Sequence, residues 1–234
     1  MIVLGVDTSG RTLSVAAGDA EGVRAEYVEA MGRRHAVTCQ STIDRVLERC
    51  GWTLADVDCF AVATGPGSFT GIRIGIAAVK TMAYAVGADA VGISSLRALA
   101  RSTGTACSLV APVLDARAER VYSALYRDGV EVLPEAPRTL PEWFDAVRDV
   151  AAPGERIYVV GDGIPVIERA EIEVADTMIF APRDQRWLRA SAVMALALED
   201  LANGVAETDP FRLEARYISL SSAERAQQER ASRA

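Results

Sequence analysis

Histidine is nearly missing from this sequence: one residue, His35, in 234. Its four cysteines (Cys39, Cys50, Cys59 and Cys107) include no CxxC pair. A Cys/His zinc site needs clustered ligands and a disulfide scaffold needs far more cysteine, so the composition argues against both. Excess positive charge is missing too: 25 Lys+Arg against 32 Asp+Glu leave a net charge of −7. Such a chain gains little from counterion release, which disfavours autonomous nucleic-acid binding unless charge is locally segregated. No uninterrupted apolar run approaches ~20 residues, so no membrane span is expected. The first run, Met1 to Val6, lacks a basic flank and stops at Asp7, which is not the pattern of a signal peptide. A soluble, cytoplasmic protein is the expectation. Half of the residues are hydrophobic, enough for a substantial core in one or two domains, which excludes a disordered chain.

Residues 2–7 form a short apolar run ending in Asp7-Thr8-Ser9-Gly10, a buried strand meeting turn chemistry. Strands at 12–18 and 22–29 follow at short spacing, most simply as an antiparallel meander. At 36–50 the period changes: Cys39, Ile43, Val46 and Cys50 make one stripe of a helix. A strand at 58–64, a helix at 69–86, a strand at 88–93 and a helix at 96–101 complete the series. The order then begins again. A strand at 109–115 ends in Asp115, a hairpin at 120–126 and 130–133 turns at Asp128-Gly129, and a helix spans 141–150. A strand at 157–160 runs into Gly161-Asp162-Gly163, which parallels Gly65-Pro66-Gly67, and a helix at 188–201 ends at Asn203-Gly204. These pairings predict two related α/β lobes, at 1–104 and 105–220, followed by a polar tail at 221–234 expected to be disordered.

The segment Gly65-Pro66-Gly67-Ser68-Phe69-Thr70-Gly71-Ile72-Arg73-Ile74-Gly75 is the most unusual stretch. Glycines between a strand and a helix permit close backbone approach, and a helix start suits an anion. Neither standard nucleotide fingerprint fits, because Lys80 lies too far on for a P-loop and Gly71 comes one residue late for GxGxxG. The plainer reading is a tight strand-to-helix connection capped by Ser68 or Thr70. The helix after it carries two uncharged stripes: Ile72, Ile76, Val79, Ala83 and Val86, and Ile74, Ala78, Thr81 and Ala85. Its only charges are Arg73 and Lys80. Either its own domain wraps it or the second stripe meets another subunit; a two-layered lobe covers one face with its sheet, which favours an interface.

Val6-Asp7-Thr8-Ser9, the 65–75 segment, Gly92-Ile93-Ser94-Ser95-Leu96 and Asp115-Ala116-Arg117 resemble the TsaB (YeaZ) family, with likeness over essentially the whole chain. The resemblance implies two RNase H-like lobes of the actin/Hsp70/sugar-kinase (ASKHA) type. It further implies an accessory role in making threonylcarbamoyladenosine on tRNA. The implied partners are a TsaD-type transferase, whose heterodimer partner this chain would be, a TsaE-type ATPase, and tRNA through the complex. Its interface, with the helix at 36–50 beside the one at 69–86, is expected to use Cys39, Ile43, Val46, Thr70, Arg73, Ile74, Ala77, Ala78, Thr81 and Ala85. Without a partner the same face is expected to form a homodimer.

The residues argue against catalysis by the chain itself. The HxxxH metal pair of the transferase relative falls here at Ser95 and Leu99, which cannot replace imidazoles, so a metal-dependent hydrolase is disfavoured. An actin-like ATPase or sugar-kinase-type phosphotransferase, the main rival, needs carboxylates at two strand ends with glycine-containing phosphate turns. Asp7, Thr8 and Ser9 satisfy the first, but the second turn, 115–120, has no glycine. With Gly161 and Gly163 where such folds cradle adenosine, a degenerate cleft with room for weak ATP or ADP binding is expected, and no required cofactor. Arg33-Arg34-His35 could touch a tRNA phosphate. Tyr217 within Glu214-Ala215-Arg216-Tyr217-Ile218 resembles the family's C-terminal signature, although Ser219 stands where that motif usually has Arg.

Overall fold

The computed structural model describes residues 1–30, 35–104, 107–170 and 174–218, the side chains of 35–37 excepted. Arg33, Arg34, Ser219, the 221–234 tail and the His35 side chain therefore lie outside the described part.

Val3–Asp7 (β1), Thr12–Asp19 (β2) and Gly22–Ala30 (β3) form the expected meander. His35–Cys50 (α1) leads to Cys59–Gly65 (β4), Phe69–Val86 (α2) to Asp89–Ser94 (β5), and Ser95–Arg101 (α3) closes the series. The sheet order is β3-β2-β1-β4-β5, with β4 parallel to both β1 and β5. Every residue of β1 and β4 is buried, which is why they read as apolar runs rather than alternating strands.

The second half repeats this plan. Leu109–Asp115 (β6), Arg120–Arg127 (β7) and Val130–Thr139 (β8) form the meander. Leu140–Val150 (α4), Ile157–Val160 (β9), Ile164–Arg169 (α5), Met178–Phe180 (β10) and Ala190–Ala202 (α6) follow. The order β10-β9-β6-β7-β8 mirrors the first sheet strand for strand, with β9 parallel to β6 and β10. These are two RNase H-like lobes of the ASKHA type.

The structure departs from the sequence reading in places. β8 runs past residue 133 through Pro134 and Pro137; it is an edge strand, where a missing N–H costs no ladder bond. α5 and β10, six and three residues long, are too short to show a period. α6 falls in the range assigned to the second lobe but packs on β1 and β2 of the first sheet. Ala190 N donates to Ser14 Oγ at 2.8 Å and Ser191 N to Glu26 Oε1 at 3.0 Å. α3 crosses the other way, onto β6 and β7. Each half thus covers the face of the other sheet that its partner's remaining helices leave open, and one core runs from Val3 and Ile93 through Leu99 to Val113 and Val193.

The other face of the first sheet is covered by α1 and α2, around Leu4, Leu13, Ile43, Phe60, Ile72 and Val79. By length and composition α2 is one helix long and apolar enough to cross a membrane. It was not expected from uninterrupted runs because Arg73 and Lys80 divide it. In the fold it packs on β4.

Candidate functional site

The glycine-rich neck before α2 lies directly on the β1–β2 turn. Ser68 N donates to Ser9 O at 2.7 Å, and Thr8 Oγ1 donates to Gly71 O at 2.7 Å. A Cβ on Gly71 would stand 2.0 Å from Thr8 O, and one on Gly67 2.4 Å from Ser9 O. The glycines therefore let two pieces of this chain's own backbone touch. Ser68 is the N-cap of α2, its Oγ accepting from Gly71 N at 3.2 Å. The plainer reading of this segment accounts for its atoms.

Asp7, Thr8 and Ser9 are all buried. Asp7 Oδ1 accepts from Ser9 N at 2.9 Å and from Ser9 Oγ at 2.6 Å, while Oδ2 has no hydrogen-bond partner. Burial pushes the Asp7 carboxyl up to about 6, against the opposing pull of the two Ser9 hydrogen bonds, with Asp162 adding a smaller upward push. Asp162 is raised as well, mainly by burial, though Asp115 N donates to its Oδ1 at 3.1 Å.

The adenosine-side glycines have the same internal explanation as the neck. A Cβ on Gly161 would lie 2.0 Å from Val113 O, and Gly163 N donates to that oxygen at 3.1 Å. At the second turn Arg117, Ala118 and Glu119 all have positive φ, at 66°, 49° and 57°. Arg117 N donates to Asp115 Oδ1 at 2.8 Å, and Ala116 N and Arg120 N bond within the turn. A bound nucleotide phosphate needs free N–H groups at both turns, and the donors named here are already engaged.

Ser95 and Leu99 are fully buried: Ser95 Oγ accepts from Gly65 N at 3.2 Å, and Leu99 belongs to the shared core. Among the described residues no group of three or more His, Cys, Asp or Glu is placed to hold a metal. Burial pushes the Cys39 and Cys59 thiols up to about 11 and about 12, so both are inert core groups.

The surface that stands out is the outer side of α2. Ile72, Ile76, Val79 and Ala83 are buried against the sheet, whereas Thr70, Arg73, Ala77, Thr81 and Ala85 are exposed and Ile74 and Ala78 half-buried. The sequence reading missed the rims of this face. At one end Phe69 stacks on Tyr217 with ring centroids 5.1 Å apart, and the Arg73 guanidinium lies 4.1 Å over the Phe69 ring. At the other end Tyr84 meets Phe211 edge-on at 5.5 Å, each 70% exposed. Tyr84 continues the series Arg73, Ala77, Thr81 by one step of three, a signal available in the sequence. Phe211 arrives from far along the chain and had no local signal; Tyr217 stood out only within the 214–218 motif, which says nothing of its place against α2.

One part of the expected interface is corrected. Cys39, Ile43 and Val46 are buried in the first lobe's own core, because α1 packs on β2 and β3. The helix has a single apolar stripe and the sheet takes it; its exposed side chains are polar, among them Gln40, Ser41, Asp44, Arg45 and Glu48.

The family model described as tRNA N6-adenosine threonylcarbamoyltransferase (TsaD) matches residues 23–226. The tRNA threonylcarbamoyladenosine biosynthesis protein TsaB of Bacillus subtilis is 32% identical over 157 residues, 65% of this chain and 69% of that protein. The Escherichia coli protein of the same name is 32% identical over 129 residues, 54% and 55% of the two chains. Among solved structures, YeaZ from Pseudomonas aeruginosa superposes with a TM-score of 0.76 at 26% identity, over 92% of this chain and 99% of that one. The activator of 2-hydroxyisocaproyl-CoA dehydratase from Clostridium difficile shares the fold at a TM-score of 0.52 and 11% identity, over 87% and 97%. With the glycine-rich neck, the twin lobes and these likenesses in agreement, the chain belongs to the TsaB/YeaZ family of tRNA threonylcarbamoyladenosine biosynthesis proteins.

Proposed function

We propose that the chain is a non-catalytic scaffold subunit that binds a TsaD-type transferase through the outer face of α2. The observation that carries this reading is the face itself: small, uncharged side chains between two exposed aromatic pairs on a helix whose other side is fully used by its own sheet. Small residues let another helix approach closely, and aromatics at the ends supply large contact area at low entropic cost. A stable interface of this kind buries on the order of 1,200–2,000 Å² in total. The engaged donors of both turns support the absence of chemistry in this chain. The complex as a whole, with a TsaE-type ATPase, would take up tRNA in the cytoplasm, and the partner would supply most of the positive field for a chain of net charge −7.

Ala77 is exposed, so Ala77→Arg perturbs the face and not the core. The variant is expected to keep its melting temperature and to lose co-purification with the transferase; undiminished co-purification overturns the docking assignment. In the absence of the transferase, sedimentation equilibrium is expected to show the wild type as a homodimer and the variant as a monomer. Transfer of threonylcarbamoyl to tRNA by this chain free of other polypeptides would overturn the scaffold reading.

A further inference from the structure

After α6 the chain returns across the first lobe as a strap, residues 208–217, with one turn of 3-10 helix at Pro210–Arg212, and it joins neither sheet as a strand. Its backbone is stitched down at two points: Ala90 N donates to Thr208 O at 2.9 Å, and Arg216 N donates to Thr64 O at 2.8 Å. Two glycines make room for it. A Cβ on Gly92 would lie 2.9 Å from Leu213 Cδ1, and one on Gly65 2.7 Å from Arg216 O. Lys80 on α2, the chain's only lysine, donates to the carbonyls of Phe211 at 3.3 Å and Leu213 at 3.2 Å. Arg73 Nε donates to Tyr217 Oη at 3.0 Å. The strap thus carries both outer aromatics of the α2 face.

It also reaches the other lobe. Arg216 Nη1 lies 3.2 Å from Oε2 of Glu135 on β8, whose side chain is 1% exposed. Glu135 Oε1 accepts from Tyr126 Oη at 3.1 Å and from Ser94 Oγ, whereas Oε2 receives no hydrogen bond of good geometry. A buried carboxylate needs a compensating charge, and the cation paired with this one comes from the strap. The Arg216 side chain is itself half-exposed, so the pair sits at the edge of the fold, where the strap meets the second lobe.

We propose that the strap is a latch: Arg216, seated on Glu135 of the second lobe, positions Phe211 and Tyr217 at the two ends of α2, and so couples the arrangement of the lobes to docking. The proposal rests on the reading of α2 as the docking face. Arg216 and Glu135 are positioning residues that touch no partner themselves.

The test uses the full chain with Arg216→Ala, Arg216→Lys, Glu135→Gln and, as the control on the face, Ala77→Arg. Two quantities are read: affinity for the TsaD-type transferase, and the rate of tryptic cleavage after Arg212. Arg216→Ala and Glu135→Gln are expected to weaken association about tenfold and to speed cleavage about tenfold. Arg216→Lys keeps the charge and is expected to restore most of both. Should Arg216→Ala fail to fold, the near-isosteric Glu135→Gln gives the same two readings. Wild-type affinity in Arg216→Ala and Glu135→Gln, with Ala77→Arg unable to bind, overturns the latch and leaves the docking face standing. Wild-type affinity in Ala77→Arg removes the docking face, and cleavage at the wild-type rate in Arg216→Ala then overturns the latch independently.

Discussion

The two halves share one strand plan, yet the helix between their parallel strands is 18 residues long in the first half, α2, and six in the second, α5. At 1.5 Å rise per residue these are rods of about 27 Å and about 9 Å. Both halves set a glycine-bearing neck against the backbone of their central strand or its turn: Gly71 on Thr8 O, Gly161 on Val113 O. Only the long rod has length left over for an outward face. The turns differ as well. The first buries an acid, Asp7, with one oxygen unpaired, whereas the second leaves Asp115 with its side chain 29% exposed and its cation Arg117 at 3.8 Å. Duplicated topology therefore fixed where the loops lie, and the helices and turn residues decided what each lobe offers.

The sharpest way to break this comparison is at the necks. Gly71→Ala places a Cβ against Thr8 O with no flexible side chain to yield, and it is expected to cost upwards of about 3 kcal/mol or to prevent folding. Gly163→Ala, facing Val113 at 3.0 Å, should be milder, and equal urea midpoints for the two variants would show that the necks are not packed as described.

The buried acid comes next. Because the Asp7 carboxyl sits at about 6, above its ordinary 3.8, its contribution to stability is fully present below pH 3.8 and is lost as pH rises through 6. The loss amounts to about 3 kcal/mol by pH 7. Asp7→Asn is expected to be more stable than wild type at pH 7.5 by about 1–3 kcal/mol, and to lose that advantage below pH 4. Identical denaturation curves for Asp7→Asn and wild type at pH 7.5 would sink this account.

Smaller still is the cap. Ser68→Ala removes the acceptor for Gly71 N, worth about 1 kcal/mol, while α5 has Gly163 at that position and no side-chain cap to lose. The least effect is expected from exposed ion pairs: Arg101→Ala, which breaks the contact with Glu199, should shift stability by less than about 0.5 kcal/mol.

Much of the architecture was legible from residues alone. The runs at 2–7 and 58–64 are apolar at every step because strands buried on both faces have no polar side to show. The repeat was visible in Asp7 with Asp115 and in the paired glycine turns, since these mark chain reversals that both halves need. The two stripes of α2 were visible because residues three and four apart share a helix face. Of the interface residues read from the sequence, Thr70, Arg73, Ala77, Thr81 and Ala85 on α2 are exposed, Ile74 and Ala78 are half-buried, and the α1 stripe of Cys39, Ile43 and Val46 faces inward. A stripe announces that it must be covered, never by what. Trp143, the largest fully buried side chain, illustrates the limit in the second half, where one of two adjacent aromatics in an eleven-residue helix goes fully into the core without any motif to announce it.

The sequence by itself determined the local periods, the turn chemistry and the landmarks of the twin-lobed plan, because each of these depends on residues within a few positions of one another. Only the tertiary structure decided that α6 and α3 cross to the opposite sheets, that α1 turns its apolar side home, and that Phe211, Arg216 and Tyr217 return to α2 and Glu135. Those choices depend on which exposed apolar area each element finds nearest once the sheets have formed, a global competition that no stretch of chain encodes alone.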